Sequence, residues 1–140
     1  MRATVDWQGK ACFSGRAGSG HRIVMDGPPE AGGENRGVRP MEMLLLGVGG
    51  CSSFDVVHIL RKGRQEVSGC RVEVDAQRAE SEPKVFTRIH LHFVVSGRKL
   101  QQVRVEKAVA LSAEKYCSAS IMLGRGGVEI SHSFEIVETA

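Results

Sequence analysis

Hydrophobic and polar residues alternate over much of this 140-residue chain, in short runs separated by clusters of glycine and proline. Alternation with a period of two is typical of strands that bury one face. It predicts six strands, over 2–7, 10–14, 21–26, 70–78, 84–96 and 128–137. We expect a turn at Gln8-Gly9 between the first two strands and another at 81–83 between the fourth and fifth. The glycine- and proline-rich segment 27–39 is expected to be a loop.

Two segments lack this alternation and predict helices. The first begins at Pro40, has Glu42 in its first turn and runs to about Lys62, with Gly63 as its C-cap. Its middle is apolar almost all round, which is typical of a helix buried on every side. One chain of this size has little material to cover such a helix, so we expect it to pack against its twin in a dimer. The second helix is expected over 100–117, before the glycines at 124, 126 and 127.

The predicted order of elements is βββ-α-ββ-α-β. That order indicates an α+β fold with a mostly antiparallel sheet. The length predicts a single domain over residues 1–140.

Composition narrows the classes of function. The net charge is only +3 and aromatic residues make up 5% of the chain, so no nucleic-acid partner is expected. No apolar run is expected to reach the roughly 18 residues of a membrane span, and the N-terminus lacks the apolar core of a signal peptide. We therefore expect no membrane partner and a cytoplasmic location, where thiols are kept reduced.

The candidate chemistry lies in the cysteines, none of which forms a CxxC pair that would predict a zinc site. Cys51 is flanked by glycines and serines, which leave space beside its sulfur. It lies too far from the helix start for the helix dipole to lower its pKa, so a reactive Cys51 needs a nearby cation. Cys117 follows 66 residues later. The residues alone leave open whether these two act as a pair or are packed hydrophobic side chains. Cys12 and Cys70 fall in strands and are interpreted as structural.

Two other groups of residues have competing interpretations. Glu42 is favoured by the helix dipole, and it is also placed to hold an arginine guanidinium in a bidentate pair. His90, His92 and His132 offer a third functional class, metal binding, but half-exposed strand histidines are the ordinary interpretation. We expect no metal site and no bound cofactor.

Two stretches carry a family resemblance. In the first, 40–51, a Pro-Met-Glu-Met start places Glu42 nine residues before Cys51. The second is Ser112-Ala113-Glu114-Lys115-Tyr116-Cys117. The chain resembles the osmotically inducible protein C / organic hydroperoxide resistance (OsmC/Ohr) family along essentially its whole length, and within it the YhfA-like branch.

The resemblance implies an OsmC-like fold, an intertwined homodimer with sheets from both subunits wrapped around central helices. It also implies a thiol-dependent peroxidase for organic hydroperoxides, restored by an external dithiol reductant. Cys51 would attack the peroxide, Cys117 would close a disulfide, and an arginine held by Glu42 would stabilise the thiolate. Arg39 is favoured as that arginine because it is nearest to Glu42 in sequence, and the alternatives are Arg16, Arg22 and Arg36. The competing function is a non-catalytic dimer of the same fold that binds a small apolar or thiol ligand.

Overall fold

The computed structural model describes all 140 residues and places them in two compact units, residues 1–44 and 45–140. Each unit has its own three-stranded sheet. The prediction of a single domain over residues 1–140 stays a prediction. The combination of sheets and helices confirms the predicted α+β class.

The first unit is an antiparallel meander. It consists of β1 (Ala3–Trp7), β2 (Phe13–Ala17) and β3 (Arg22–Met25). β2 begins three residues later than predicted because the connection is longer than a two-residue turn. Gly9 and Lys10 both adopt left-handed backbone, with φ of 98° and 50°, and the Trp7 indole N–H donates to the Lys10 carbonyl at 2.9 Å. The hairpin loop therefore takes up residues 8–12.

The predicted loop after β3 is held by one buried carboxylate. Asp26 accepts hydrogen bonds from three backbone N–H groups, those of Gly27, Glu34 and Arg36, at 2.7, 3.2 and 3.1 Å. A short 3-10 turn, Pro29–Ala31, lies inside the loop. The glycine- and proline-rich segment is thus ordered around Asp26, without a strand of its own.

The long helix α1 spans Pro40–Lys62, as predicted, and passes from the first unit into the second. Its C-terminus differs in one detail from the expectation. The left-handed residue is Arg64, with φ of 57°, whereas Gly63 precedes it. The Gln65 N–H then donates to the Leu60 carbonyl at 2.9 Å, which is the closing hydrogen bond of a Schellman motif.

The prediction that α1 is buried on every side is wrong for the single chain. Its buried positions form one stripe, namely Val48, Gly49, Ser52, Val56 and Leu60. Gly49 lies so close to the strand Glu66–Arg78 that a Cβ there would be 3.2 Å from Val72 and Val74 side-chain atoms. On the other side Leu46 and Phe54 are 58% and 71% exposed. The apolar surface of α1 therefore exceeds what its own chain covers.

By length and composition α1 would also be able to cross a membrane, with a mean hydropathy of 1.7 over 18 residues. The expectation that no apolar run reaches this length was therefore wrong. A core helix of a soluble protein passes the same test, although only 28% of this window is buried within the chain. The absence of a membrane partner stays a prediction.

The second unit contains β4 (Glu66–Arg78), β5 (Phe86–Arg98) and β6 (Glu129–Glu138). β4 and β5 are antiparallel, but β5 and β6 are parallel. A parallel neighbour requires a crossover, and the helical segment between β5 and β6 supplies it. The alternating side chains Ile89, Leu91, Phe93 and Val95 are buried on one face of β5, as the periodicity predicted.

The predicted second helix is interrupted at its end. It divides into α2 (Gln102–Leu111), a π-helical turn (Ser112–Tyr116) and α3 (Ser118–Arg125). Cys117 lies between the last two in an extended conformation, with φ of −73° and ψ of 98°. The glycines that were expected to end the helix lie at the end of α3 instead.

Candidate active site

Cys51 and Cys117 are brought together by α1 and by the break before α3. Together with Asp55 they form a cluster in which one ligand atom from each, two sulfurs and a carboxylate oxygen, lie within 4.8 Å of one another. No disulfide joins them. The proximity of the two thiols, which the sequence left open, is thereby established, whereas their chemical roles stay predictions.

The extended backbone at Cys117 makes it the N-cap residue of α3. Its sulfur accepts a hydrogen bond from the Ser120 backbone N–H at 3.4 Å. The Ser52 hydroxyl lies 3.1 Å from the same sulfur. The side chain of Cys117 is completely buried, so these groups replace solvent around it.

Cys51 has a different environment. It lies in the uninterrupted middle of α1 and is half-buried. Its neighbour Gly50 faces open space, where a Cβ would meet no atom within 4 Å. The predicted space beside the Cys51 sulfur itself stays a prediction.

The two thiols have opposite pKa shifts. Burial raises the pKa of Cys117, but the hydrogen bonds from Ser120 and Ser52 outweigh burial, so the net shift is downward. For Cys51, burial raises the pKa, the Ala119 N–H opposes that effect, and the charges of Cys117 and Asp55 raise the pKa further. In the reduced pair the first negative charge therefore resides on Cys117, not on Cys51.

Asp55 and Ser112 complete the cluster. The Ser112 hydroxyl is 3.0 Å from Asp55 Oδ2 and 3.3 Å from the Ser52 carbonyl oxygen, and it donates to both. Sequence reasoning missed these residues. Asp55 lies four residues after Cys51, on the same face of a helix, and Ser120 lies three residues after Cys117, where an N-cap side chain finds its donor. Those two spacings were the available signals.

Glu42 and Arg39 lie in the first unit. The Glu42 carboxylate accepts a hydrogen bond from the Arg39 backbone N–H at 2.8 Å, which is a helix-start contact. The Arg39 guanidinium donates to Asn35 Oδ1 at 2.8 Å and to the Gly37 carbonyl at 3.2 Å. It forms no ion pair with Glu42. The role of these two residues in activating Cys51 stays a prediction.

The other arginines considered also lie in the first unit. Arg16 and Arg22 are cross-strand neighbours in β2 and β3, and both are exposed. The Arg36 guanidinium lies 3.6 Å from Glu34. None of the three is paired with Glu42.

The remaining cysteines do not belong to the cluster. Cys12 is buried in the first unit and Cys70 lies in β4. Burial raises the pKa of Cys70, and a hydrogen bond with Ser53 partly opposes this effect. Neither residue has a thiol partner, which agrees with their structural interpretation.

The three-histidine metal site is wrong. His90 and His92 share one face of β5, where their ring nitrogens lie 2.7–2.8 Å from the Ser131 and Ser133 hydroxyls. His132 pairs with Leu91 and so lies on the opposite face. The half-exposed strand histidines are instead part of a hydrogen-bonded row along β5 and β6.

Comparisons with known proteins agree with this architecture. The family model described as OsmC-like protein matches residues 32–133. Protein YhfA of Escherichia coli K12 is 48% identical over 137 residues, which are 98% of both chains. The crystal structure of a hypothetical protein from Aquifex aeolicus has a TM-score of 0.86 at 32% identity, over 99% of this chain and 97% of that one.

A solved structure with lower sequence identity is also similar. It is an organic hydroperoxide resistance protein OsmC from Legionella pneumophila, with a TM-score of 0.70 at 18% identity. The match covers 96% of this chain and 95% of that one. At this identity the likeness is one of fold.

Proposed function

Because the chain belongs to the OsmC-like protein family, we propose that it is a thiol-dependent peroxidase that reduces organic hydroperoxides through Cys51 and Cys117. The observation that carries this proposal is the cluster in which both sulfurs lie within 4.8 Å. A disulfide needs a sulfur separation of about 2.05 Å, so a small movement at the backbone break beside Cys117 is enough to form it. The name of the Legionella pneumophila relative supports the substrate class.

The opposite pKa shifts of Cys51 and Cys117 support an order for the steps of peroxide reduction. When the pair loses its first proton, the thiolate forms on Cys117 and Cys51 stays a thiol, because the hydrogen bonds of Cys117 lower its pKa while burial raises that of Cys51. Transfer of the Cys51 proton to Cys117 makes the more accessible sulfur the nucleophile. Only the thiolate form attacks.

The Cys51 thiolate then attacks the peroxide and breaks its O–O bond, which gives a sulfenic acid and an alkoxide. The alkoxide takes the proton held by Cys117 and leaves as an alcohol. The Cys117 thiolate attacks the sulfenic sulfur, expels hydroxide and closes the disulfide. An external dithiol supplies the two electrons that restore both thiols and is itself oxidised to a disulfide. Arg39, held near the start of α1 beside Glu42, is our candidate for the cation that stabilises the Cys51 thiolate.

The test is dithiol-dependent consumption of tert-butyl hydroperoxide by the reduced full chain. We expect catalytic turnover, and mass analysis after one equivalent of peroxide should find Cys51 linked to Cys117. A chain without dithiol-dependent consumption, or one whose disulfide joins Cys12 to Cys70, would contradict the proposal.

A groove beside α1 favours the second candidate function, a non-catalytic dimer that binds a small apolar or thiol ligand. Its volume is about 710 Å³, and its lining includes Gly50, Phe54, His58 and Cys70. Binding of a fluorescent apolar probe by a chain that reduces no peroxide would support this alternative. Loss of that binding in Phe54→Glu would locate the probe in the groove.

We propose that the active form is a cytoplasmic homodimer. Phe54 and Leu46 expose apolar surface that their own chain leaves uncovered, and Gly47 faces open space beside them. Sedimentation at micromolar concentration should show a dimer, and Phe54→Glu should shift it toward the monomer. The same substitution at exposed Val103 on α2 is the control. A stable wild-type monomer would contradict this proposal.

A further inference from the structure

The cluster of Cys51, Asp55 and Cys117 contains the donor atoms of a metal site. Two sulfurs and one carboxylate oxygen lie within 4.8 Å of one another. Around a tetrahedral zinc ion, with metal–sulfur bonds near 2.3 Å, neighbouring sulfurs are separated by about 3.8 Å. The cluster therefore needs to contract by about 1 Å at most, and the backbone break at Cys117 allows such a movement.

The charge at this cluster is uncompensated within its unit. Asp55 forms no ion pair with any lysine, arginine or histidine of residues 45–140, and its side-chain partner is the neutral Ser112 hydroxyl. A half-buried carboxylate without a charged partner is unfavourable unless a cation or a proton offsets its charge.

We propose that the reduced chain binds one thiophilic divalent cation of the zinc class through Cys51, Asp55 and Cys117. Thiolate ligands select zinc-like ions over magnesium or calcium. Three protein ligands leave a fourth position for water, and the Ser112 hydroxyl, which donates to Asp55 Oδ2, orients the carboxylate. The site differs from the three-histidine hypothesis in ligands, location and chemistry.

One consequence is that the cation and the disulfide exclude each other, because both use the same two sulfurs. Bound cation also protects Cys51 from peroxide. Since Cys51 must lose its proton to bind, affinity should rise with pH until this thiol is deprotonated. The inference rests on the proximity of the two thiols and not on peroxidase activity.

The experiment is a titration of the oxygen-free reduced full chain with Zn²⁺ against a chromophoric chelator. We expect one Zn²⁺ per chain, and Asp55→Asn, which removes a direct ligand, should weaken binding by at least the roughly 10–100-fold that losing a hydrogen-bond partner of a ligand costs. The matched control is Asp75→Asn, which changes an exposed carboxylate on β4 and should leave affinity unchanged. Circular dichroism establishes that both variants are folded.

A second measurement needs no substitution. Cd²⁺ bound to the reduced wild type should give a sulfur-to-metal charge-transfer band, and this band should be missing after the two thiols are oxidised or alkylated. Wild-type affinity in Asp55→Asn, a band that persists without free thiols, or Zn²⁺ lost in His90→Gln instead would overturn the proposal. Zn²⁺ binding without peroxide turnover would count against the peroxidase alone, and turnover without Zn²⁺ binding against the metal site alone.

Discussion

The two helical regions that carry the sulfurs differ in the continuity of their backbone. α1 is regular from Pro40 to Lys62, and Cys51 lies in its middle, where α1 itself has no free N–H group; a backbone donor to its sulfur, the Ala119 N–H, comes from α3. The region around Cys117 is interrupted by a π-helical turn and by one extended residue. The interruption turns Cys117 into the N-cap of α3, whose Ser120 N–H donates to its sulfur. A broken helix thus stabilises a thiolate that a continuous helix does not.

The two thiols also differ in which is more accessible and which is more acidic. Cys51 is half-buried beside the open side of Gly50, whereas Cys117 is completely buried and has the lower pKa. In the proposed mechanism, the substrate reaches the Cys51 sulfur, and Cys117 is the first of the two thiols to ionise. Accessibility and a lowered pKa, which a single reactive cysteine usually combines, are therefore divided between Cys51 and Cys117.

The largest expected effect comes from removing each of the two thiols in turn. Cys51→Ser should abolish turnover of tert-butyl hydroperoxide, because the accessible nucleophile is lost. Cys117→Ser should also stop turnover, but one equivalent of peroxide should still be consumed and leave a sulfenic acid on Cys51. A dimedone-type probe followed by mass analysis detects that acid.

Cys70→Ala is the control for these variants, since its thiol has no thiol partner. It should keep most of the wild-type rate. Full activity in Cys51→Ser, or a trapped sulfenic acid on Cys117 in the wild type, would reverse the assignment of the two regions.

A smaller effect is expected where the two regions meet. Ser112→Ala removes the hydroxyl that bonds both Asp55 and the Ser52 carbonyl. Losing a hydrogen bond to a charged group typically costs about 1.5–3 kcal/mol, so the free energy of unfolding should fall by that order. Urea denaturation measures it. Exposed Ser118 provides the control, and Ser118→Ala should change stability by less than about 0.5 kcal/mol.

The smallest expected effect is a change in acidity at two adjacent serines. Ser52→Ala removes a hydrogen bond to the Cys117 sulfur and should raise the pKa of that thiol. Ser53→Ala, which removes the partner of Cys70, should leave that titration unchanged. Ultraviolet absorbance of the thiolate against pH measures both. An equal shift in the two variants would show that Ser52 has no special role.

The sign of the pH dependence follows from the lowered pKa of Cys117. Its thiolate stabilises the fold above the pKa of the unfolded chain, and this contribution is lost as pH falls through the folded pKa. The acid limb of peroxide reduction should follow the same titration. In Ser52→Ala that limb should move to higher pH.

Local signals predicted much of the fold. A proline start and a long apolar run predicted the bounds of α1, and two-residue periodicity located the strands of the second unit to within a few residues. The break at Cys117 was missed because Ser112–Tyr116 contains no glycine or proline and reads as continuous helix. The parallel pairing of β6 was missed because strand direction depends on the path of the crossover and not on the residues of the strand.

The sequence by itself determined which thiols are candidates for the chemistry and which family the chain resembles, because thiol identity and motif spacing are written in the order of residues. Only the tertiary structure decided that Cys51 and Cys117 meet, that Asp55 joins them, and that the buried thiol has the lowered pKa. The physical reason is range. Hydrogen bonds and metal coordination act over a few ångströms between atoms that lie more than 60 residues apart in the chain, and no local pattern records such distances.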